Sequence, residues 1–136
     1  MSNIVAYLSF PGNCREAMSF YKECLGGELK MQTVAESPMA GQMPAEMGQS
    51  IMHSSLTNGG ITVMAADMNK NFTTGNAVHL CIVCDSEEEL NTYFNNLSAG
   101  GTVNHPVSKF FAGTIGDFVD KFGINWMLYY GEGTQQ

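Results

Sequence analysis

Positive charge and long apolar runs are both scarce in this sequence. It has 6 Lys and Arg residues against 13 Asp and Glu residues, which gives a formal net charge of -7 at pH 7. Sequence-independent binding to nucleic acid needs basic side chains that displace counterions from phosphates. No apolar run is long enough to cross a bilayer, and residues 1–7 lack the features of a signal peptide. The sequence therefore predicts a cytoplasmic protein that binds neither nucleic acid nor membranes.

Cysteine is also scarce, since the chain has 4 cysteines, too few for a disulfide-stapled scaffold. Cys81 and Cys84 have the C-x-x-C spacing of redox and zinc sites. A zinc site needs more ligands than this pair, and redox pairs lie at a helix start rather than within a strand. We interpret the two as small apolar residues on opposite faces of a strand.

The sequence does contain an internal repeat. Residues 7–10 match residues 79–82, and both runs alternate as strands do. A polar helix start follows each run, at residues 13–16 and 85–88. Each start has an N-cap oxygen and a Glu three residues later, which is the pattern of a capping box.

Both halves continue with an amphipathic helix that ends at a glycine pair, Gly26-Gly27 or Gly100-Gly101. A strand and then a strand-turn-strand follow each glycine pair, so each half is β-α-β-β-β. Neither half can bury both faces of its sheet alone. We therefore expect an α+β fold in which the two repeats form one curved mixed sheet around a cavity, with the helices outside. The apolar helix positions are Met18, Tyr21 and Leu25 in the first half and Leu90, Tyr93, Phe94 and Leu97 in the second. The predicted boundaries are 1–67 for the first repeat, 68–78 for a linker and 79–136 for the second repeat, within a single domain 1–136.

The segment 36–49 does not fit the repeat. It carries Met39, Met43 and Met47 among prolines and glycines. Flexible thioethers suit a mobile lid over an apolar ligand, whereas an irregular surface loop accounts for the same composition. Both interpretations remain open.

Residues 7–21 (YLSFPGNCREAMSFY) resemble the opening of PhnB-like proteins, a branch of the vicinal oxygen chelate superfamily. Segments 51–56, 59–67 and 117–126 agree with this resemblance. It implies a glyoxalase/bleomycin-resistance-like fold and a homodimer. It says much less about activity, because functions differ widely on this fold.

Metal enzymes of this superfamily hold their ion with one ligand on the first strand and one on the last strand of each half. The resemblance carries these places to Tyr7, Met64, His79 and Met127. Only His79 is a good ligand for the divalent metals concerned, which prefer imidazole and carboxylate donors. We therefore expect no metal or other cofactor here. Some PhnB-like proteins are described as demethylubiquinone methyltransferases, but this chain lacks the Gly-rich turn of a Rossmann-type donor site.

Strand alternation predicts which residues line the cavity. The predicted ligand-binding residues are Tyr7, Ser9, His53, Met64, His79, Cys81, Met127 and Tyr129. His53 is either a hydrogen-bond partner or general base for the ligand, or a structural histidine. His105, before Pro106, is interpreted as a turn residue. Asp67 is interpreted as a residue that caps the linker or binds backbone amides, with facing the cavity as the alternative. Trp126 and Tyr130 are expected to face the helix side.

Three hypotheses about function follow. The first is a metal-independent protein that binds a small organic molecule in this cavity, with catalysis left open. The second is a metal-dependent lyase, isomerase or dioxygenase that uses displaced ligands such as His53, His79 and Asp67. The third is a drug-sequestering protein similar to bleomycin-resistance proteins, for which the acidic charge would suit a cationic drug.

Overall fold

A computed structural model describes residues 2–38, 40–42, 47–68 and 72–131. The chain divides into two compact units, Met1–Thr73 and Thr74–Gln136. The division falls within the segment 68–78 that the repeat pattern assigns to a linker.

The first unit is a four-stranded mixed sheet with one long helix on it. Its elements are β1 Ala6–Phe10, α1 Cys14–Leu25, β2 Glu28–Thr33, a short 3-10 helix Ala40–Gln42, β3 Ile51–Asn58 and β4 Ile61–Asp67. Strand β1 runs parallel to β4, and the other neighbours are antiparallel, in the order β1-β4-β3-β2.

The second unit repeats this topology. Its elements are β5 Leu80–Val83, α2 Glu87–Ser98, β6 Thr102–Phe110, β7 Gly113–Val119 and β8 Asn125–Tyr130. Strand β5 runs parallel to β8, and the order is β5-β8-β7-β6. The predicted α+β class and the two β-α-β-β-β repeats are confirmed.

Each helix covers one face of its own sheet with the apolar positions that the sequence predicts. Tyr21 of α1 packs beside Phe10, with ring centroids 6.5 Å apart, and Phe94 of α2 meets Phe118 edge-on at 4.9 Å. Full burial of one such side chain contributes about 1.5–3 kcal/mol. The predicted helix positions that are buried are Met18, Tyr21, Leu25, Leu90, Phe94 and Leu97, while Tyr93 is half-buried.

Each glycine pair is required because the strand that follows it begins directly beside the neighbouring strand of its sheet. Gly27 has φ +95°, and a Cβ there would overlap the carbonyl oxygen of Thr57. Gly101 occupies the same place in the second unit, where a Cβ would overlap the carbonyl oxygen of Val119. These glycines therefore allow β2 and β6 to join their sheets directly after the helices.

The two helix starts differ from the predicted capping boxes. Among the residues that the structure describes, Asn13 makes no side-chain cap, and its buried Oδ1 has no hydrogen-bond partner. In the second unit the cap is Ser86, whose side chain accepts from the Glu89 amide at 3.0 Å, while the Asp85 amide donates to Glu89 at 2.9 Å. The first predicted capping box is therefore wrong, and the second lies one residue later than predicted.

The interpretation of His105 as a turn residue is also wrong. It lies within β6, an edge strand whose register with β7 shifts on both sides of His105. Pro106 has no amide hydrogen to donate, and an irregular edge strand tolerates it. Trp126 is buried on the helix side as predicted, and its Nε1 donates to Asp120 Oδ2 at 2.8 Å.

Part of the predicted lid, residues 39 and 43–46, lies outside the described residues, including Met39 and Met43. At its ends the Val34 amide donates to the Ser50 carbonyl at 2.8 Å and the Ala35 amide to the Gly48 carbonyl at 3.0 Å. Among the described residues, we find no helix with the length and apolar character needed to cross a membrane.

Candidate functional site

The face of the first sheet that α1 leaves uncovered carries Tyr7 and Ser9. Cys14 of α1 lies 3.6 Å from the hydroxyl of Ser54, so Ser54 faces the helix and Ser55 faces away. Ser55 is the register partner of Met64, and Met64 is the register partner of Tyr7. Tyr7, Met64 and Ser55 therefore form one row across the helix-free face.

His53 lies two residues before Ser55 and so points to the same face. Its ring lies beside that of Tyr7, with centroids 6.0 Å apart and planes inclined by 37°. Tyr7 is 52% exposed, and both Ser9 and His53 are exposed. Four predicted site residues, Tyr7, Ser9, His53 and Met64, thus share one open face of the first unit.

The second sheet has an equivalent row. Phe118 contacts Phe94 of α2, so its neighbour Asp117 faces away from the helix. Cys81 is the register partner of Met127, and Met127 is the register partner of Asp117. His105 on β6 pairs with Asp117 and completes the row.

The remaining predicted residues of the second unit lie at its margins. Tyr129 is on the same face as Met127, and its hydroxyl donates to the Ala112 carbonyl at 3.0 Å. Its ring centroid is 6.2 Å from that of Phe110. His79 is half-buried and immediately precedes β5, so Cys81 rather than His79 is the register partner of Met127.

The pairing of His105 with Asp117 is not apparent from the sequence. His105 Nδ1 lies 2.9 Å from Asp117 Oδ2 and 3.1 Å from Oδ1. The side chain of Asp117 is 15% exposed and that of His105 is 79% exposed. Asp117 stands in the family-like segment 117–126, but no local signal reveals its partner, because the irregular register of β6 decides it.

The cysteines do not form a reactive pair. Cys81 is exposed and Cys84 is buried. Burial raises the pKa of Cys14 to about 11 and that of Cys84 to about 12, and burial also raises the pKa of Cys81. A redox or zinc pair needs thiolates near neutral pH. The interpretation of Cys81 and Cys84 as residues on opposite faces is therefore favoured.

The superfamily's metal position does not fit the residues found here. Tyr7 and Met64 face each other in register, and Met127 faces Cys81. Phenol and thioether groups are poor donors for the divalent metals of glyoxalases and dioxygenases. No group of three or more His, Cys, Asp or Glu side chains that could hold a metal occurs within the described ranges.

Asp67, an alternative metal ligand, is committed elsewhere. Its Oδ1 accepts from the Cys14 amide at 2.9 Å, and its Oδ2 accepts from the Ile51 amide at 2.8 Å. The prediction that Asp67 binds backbone amides is confirmed, and this role occupies both of its oxygens.

Comparisons with known proteins agree with this fold. The fosfomycin resistance protein FosX of Listeria monocytogenes is 13% identical with a TM-score of 0.65, over 98% of this chain and 96% of that one, which shows the fold alone. Protein PA1353 of Pseudomonas aeruginosa is 36% identical with a TM-score of 0.86, over 96% of this chain and 98% of that one. A PhnB protein from Bacillus cereus is 28% identical with a TM-score of 0.74, over 96% and 100% of the two chains.

The fold and these likenesses define a vicinal oxygen chelate protein of the PhnB-like branch. Protein YjdN of Escherichia coli is 32% identical over 133 residues, 90% of each chain. The model of the family described as 3-demethylubiquinone-9 3-methyltransferase matches residues 2–129, and the chain belongs to this family.

Proposed function

We propose that this protein binds a small organic molecule on the helix-free faces of its sheets, without a metal at the superfamily's usual position. The observation that carries the proposal is the grouping of Tyr7, His53 and Met64 on one open face. Small-molecule sites commonly combine an apolar wall with a few polar groups, as this grouping does.

Each side chain has a distinct part in this proposal. The Tyr7 hydroxyl and the His53 imidazole can each donate or accept a hydrogen bond, which fixes the orientation of a polar group of the ligand. The thioether of Met64 adapts to an apolar or aromatic part. Ser9 adds a hydroxyl at the same face. On the helix-free face of the second sheet, the polar and apolar contacts to a ligand would come from His79, Cys81, Met127 and Tyr129.

The family description names a methyltransferase, but methyl transfer from a Rossmann-type donor site is not part of the proposal. A Rossmann-type donor site has a Gly-rich turn between a parallel strand and its helix. Here β1 leads into α1 through Pro11, Gly12 and Asn13, and Asp67 accepts from the first amide of the helix. A carboxylate thus occupies the helix N-terminus.

A thermal-shift screen tests the proposal, because a ligand that binds only the folded state raises the unfolding midpoint. The panel contains metabolites and the antibiotics fosfomycin and bleomycin. We expect Tyr7→Phe and His53→Ala to reduce the shift of any hit, since each removes a hydrogen-bonding group. Tyr93→Phe, a matched change on α2, should leave the shift unchanged. Hits that are insensitive to both site variants would contradict the proposal.

Metal analysis separates this proposal from the metal-dependent hypothesis. Protein purified without chelators should contain no stoichiometric nickel, zinc, manganese or iron. Stoichiometric metal that is lost in His79→Ala or His53→Ala would favour a lyase, isomerase or dioxygenase with displaced ligands. Protection of a drug without turnover would instead favour sequestration.

We also propose that the protein is a homodimer, which rests on the resemblance to its superfamily. Light scattering at micromolar concentration should give twice the mass of the 14.8 kDa chain. A monomer at every concentration would contradict this part without affecting ligand binding.

A further inference from the structure

The second unit has a cavity that lies apart from its helix-free face. Its volume is about 290 Å³, and it lies between the first turn of α2 and the hairpin that joins β6 to β7. Lys109, Thr114 and Tyr130 are register partners across three strands and line one wall. Thr114 bonds to Glu87 of α2, so this row faces the helix side.

The cavity holds both signs of charge. Glu87 Oε2 accepts from the Thr114 hydroxyl at 2.9 Å and lies 3.4 Å from Lys109 Nζ. The Thr114 hydrogen bond, and then the Lys109 charge, hold the pKa of Glu87 below its ordinary value, so Glu87 is a carboxylate at neutral pH. Within the described part of the chain, Glu87 Oε1 has no hydrogen-bond partner. The side chain of Lys109 is 78% exposed, which leaves ammonium hydrogens for a further acceptor.

The rim of the same cavity is aromatic. Phe111 lines it and is 101% exposed, whereas the ring of Phe110 lies beside Tyr129 toward the helix-free face, with centroids 6.2 Å apart. An exposed ring gains free energy when an apolar partner removes its surface from water, and aromatic partners add an edge or stacking contact. Carboxylate, ammonium and aromatic surface are thus all present in one small cavity.

We propose that this cavity binds a zwitterionic small molecule with an aromatic or bulky apolar group, such as an α-amino acid. Its ammonium would bind Glu87, its carboxylate would bind Lys109 and the Tyr130 hydroxyl, and its apolar group would cover Phe111. A simple anion meets repulsion from Glu87, and a simple cation meets repulsion from Lys109. The volume is near the lower limit for small-ligand sites, about 300 Å³, which fits a molecule of this size.

Calorimetry with three matched probes tests this proposal on the full chain. L-phenylalanine carries both charges, 3-phenylpropionate carries only the carboxylate, and 2-phenylethylamine carries only the ammonium. We expect L-phenylalanine to bind at least about 10-fold more tightly than either of the others, a difference of about 1.4 kcal/mol.

Two variants give a readout that misfolding could not produce. Glu87→Gln should weaken L-phenylalanine and strengthen 3-phenylpropionate, because it removes attraction for the ammonium and repulsion of the carboxylate. Lys109→Met should weaken L-phenylalanine and strengthen 2-phenylethylamine, because it removes attraction for the carboxylate and repulsion of the ammonium. The exposed pair Glu28 and Lys30, 3.9 Å apart on β2, supplies the controls Glu28→Gln and Lys30→Met, which should change nothing.

Several results would overturn the proposal. These are no binding of L-phenylalanine at millimolar concentration, equal binding of the three probes, or affinities unchanged in both Glu87→Gln and Lys109→Met. Binding of L-phenylalanine that is lost in Tyr7→Phe would place it on the helix-free face and would also overturn the proposal. Failure of the ligand screen there leaves this cavity unaffected.

Discussion

Asp67, at the end of β4, accepts a hydrogen bond from the amide of Cys14, the first residue of α1, at 2.9 Å. Its second oxygen accepts from the amide of Ile51 at the start of β3, at 2.8 Å. One carboxylate therefore satisfies two backbone donors that belong to different elements. The negative charge also suits the N-terminal end of the helix dipole.

The variant Asp67→Asn should lower the free energy of unfolding by about 1–3 kcal/mol, because an amide has one acceptor oxygen and leaves one of the two donors unpaired. Urea unfolding measures the change. Glu23→Gln, an exposed carboxylate change on α1, should alter stability by no more than about 0.5 kcal/mol. Equal effects of the two changes would show that Asp67 does not hold these amides.

The two helix starts should respond differently to loss of their side chains. Ser86→Ala should cost about 1 kcal/mol, since it removes the acceptor for the Glu89 amide. Asn13→Ala should cost less or even stabilise, because the buried Oδ1 of Asn13 has no hydrogen-bond partner to lose within the described part of the chain. Thermal and urea unfolding of the two variants compare them, and a larger cost at Asn13 would contradict the observed caps.

The glycines that precede β2 and β6 should not tolerate a side chain. Gly27→Ala and Gly101→Ala should each lower stability by about 1–3 kcal/mol or more, because the new Cβ overlaps a strand carbonyl. Gly60→Ala is the control, since a Cβ there has no atom within 4 Å. A similar cost at all three positions would mean that loss of glycine flexibility, and not overlap, decides the result.

Stability should decrease at alkaline pH through the buried thiols. The pKa of Cys14 rises from 9.0 to about 11 on folding, so the folded state disfavours the thiolate. The contribution of this thiol to the free energy of unfolding is complete below pH 9.0 and is lost as the pH rises through about 11. We expect Cys14→Ala to show a smaller fall in unfolding free energy over this range. Urea unfolding of the unchanged protein and of Cys14→Ala at several pH values measures this difference. The titration of groups common to both proteins cancels in the comparison.

Local patterns were sufficient for much of this architecture. Helical spacing predicted that Met18 and Leu25 are buried, and strand alternation predicted that Tyr7 and Ser9 lie on the open face. These patterns depend only on the period of each element, which the chain carries within a few residues.

Tertiary structure decided which residues from distant segments contact each other. The sequence places an N-cap oxygen at Asn13, but the Cys14 amide bonds to Asp67, 53 residues away. His105 meets Asp117 through an irregular edge-strand register, and Glu87 meets Lys109 because α2 lies over the β6–β7 hairpin. Such contacts depend on strand register and helix docking. A shift of one residue in register turns a side chain to the opposite face, so only the folded chain fixes these partners.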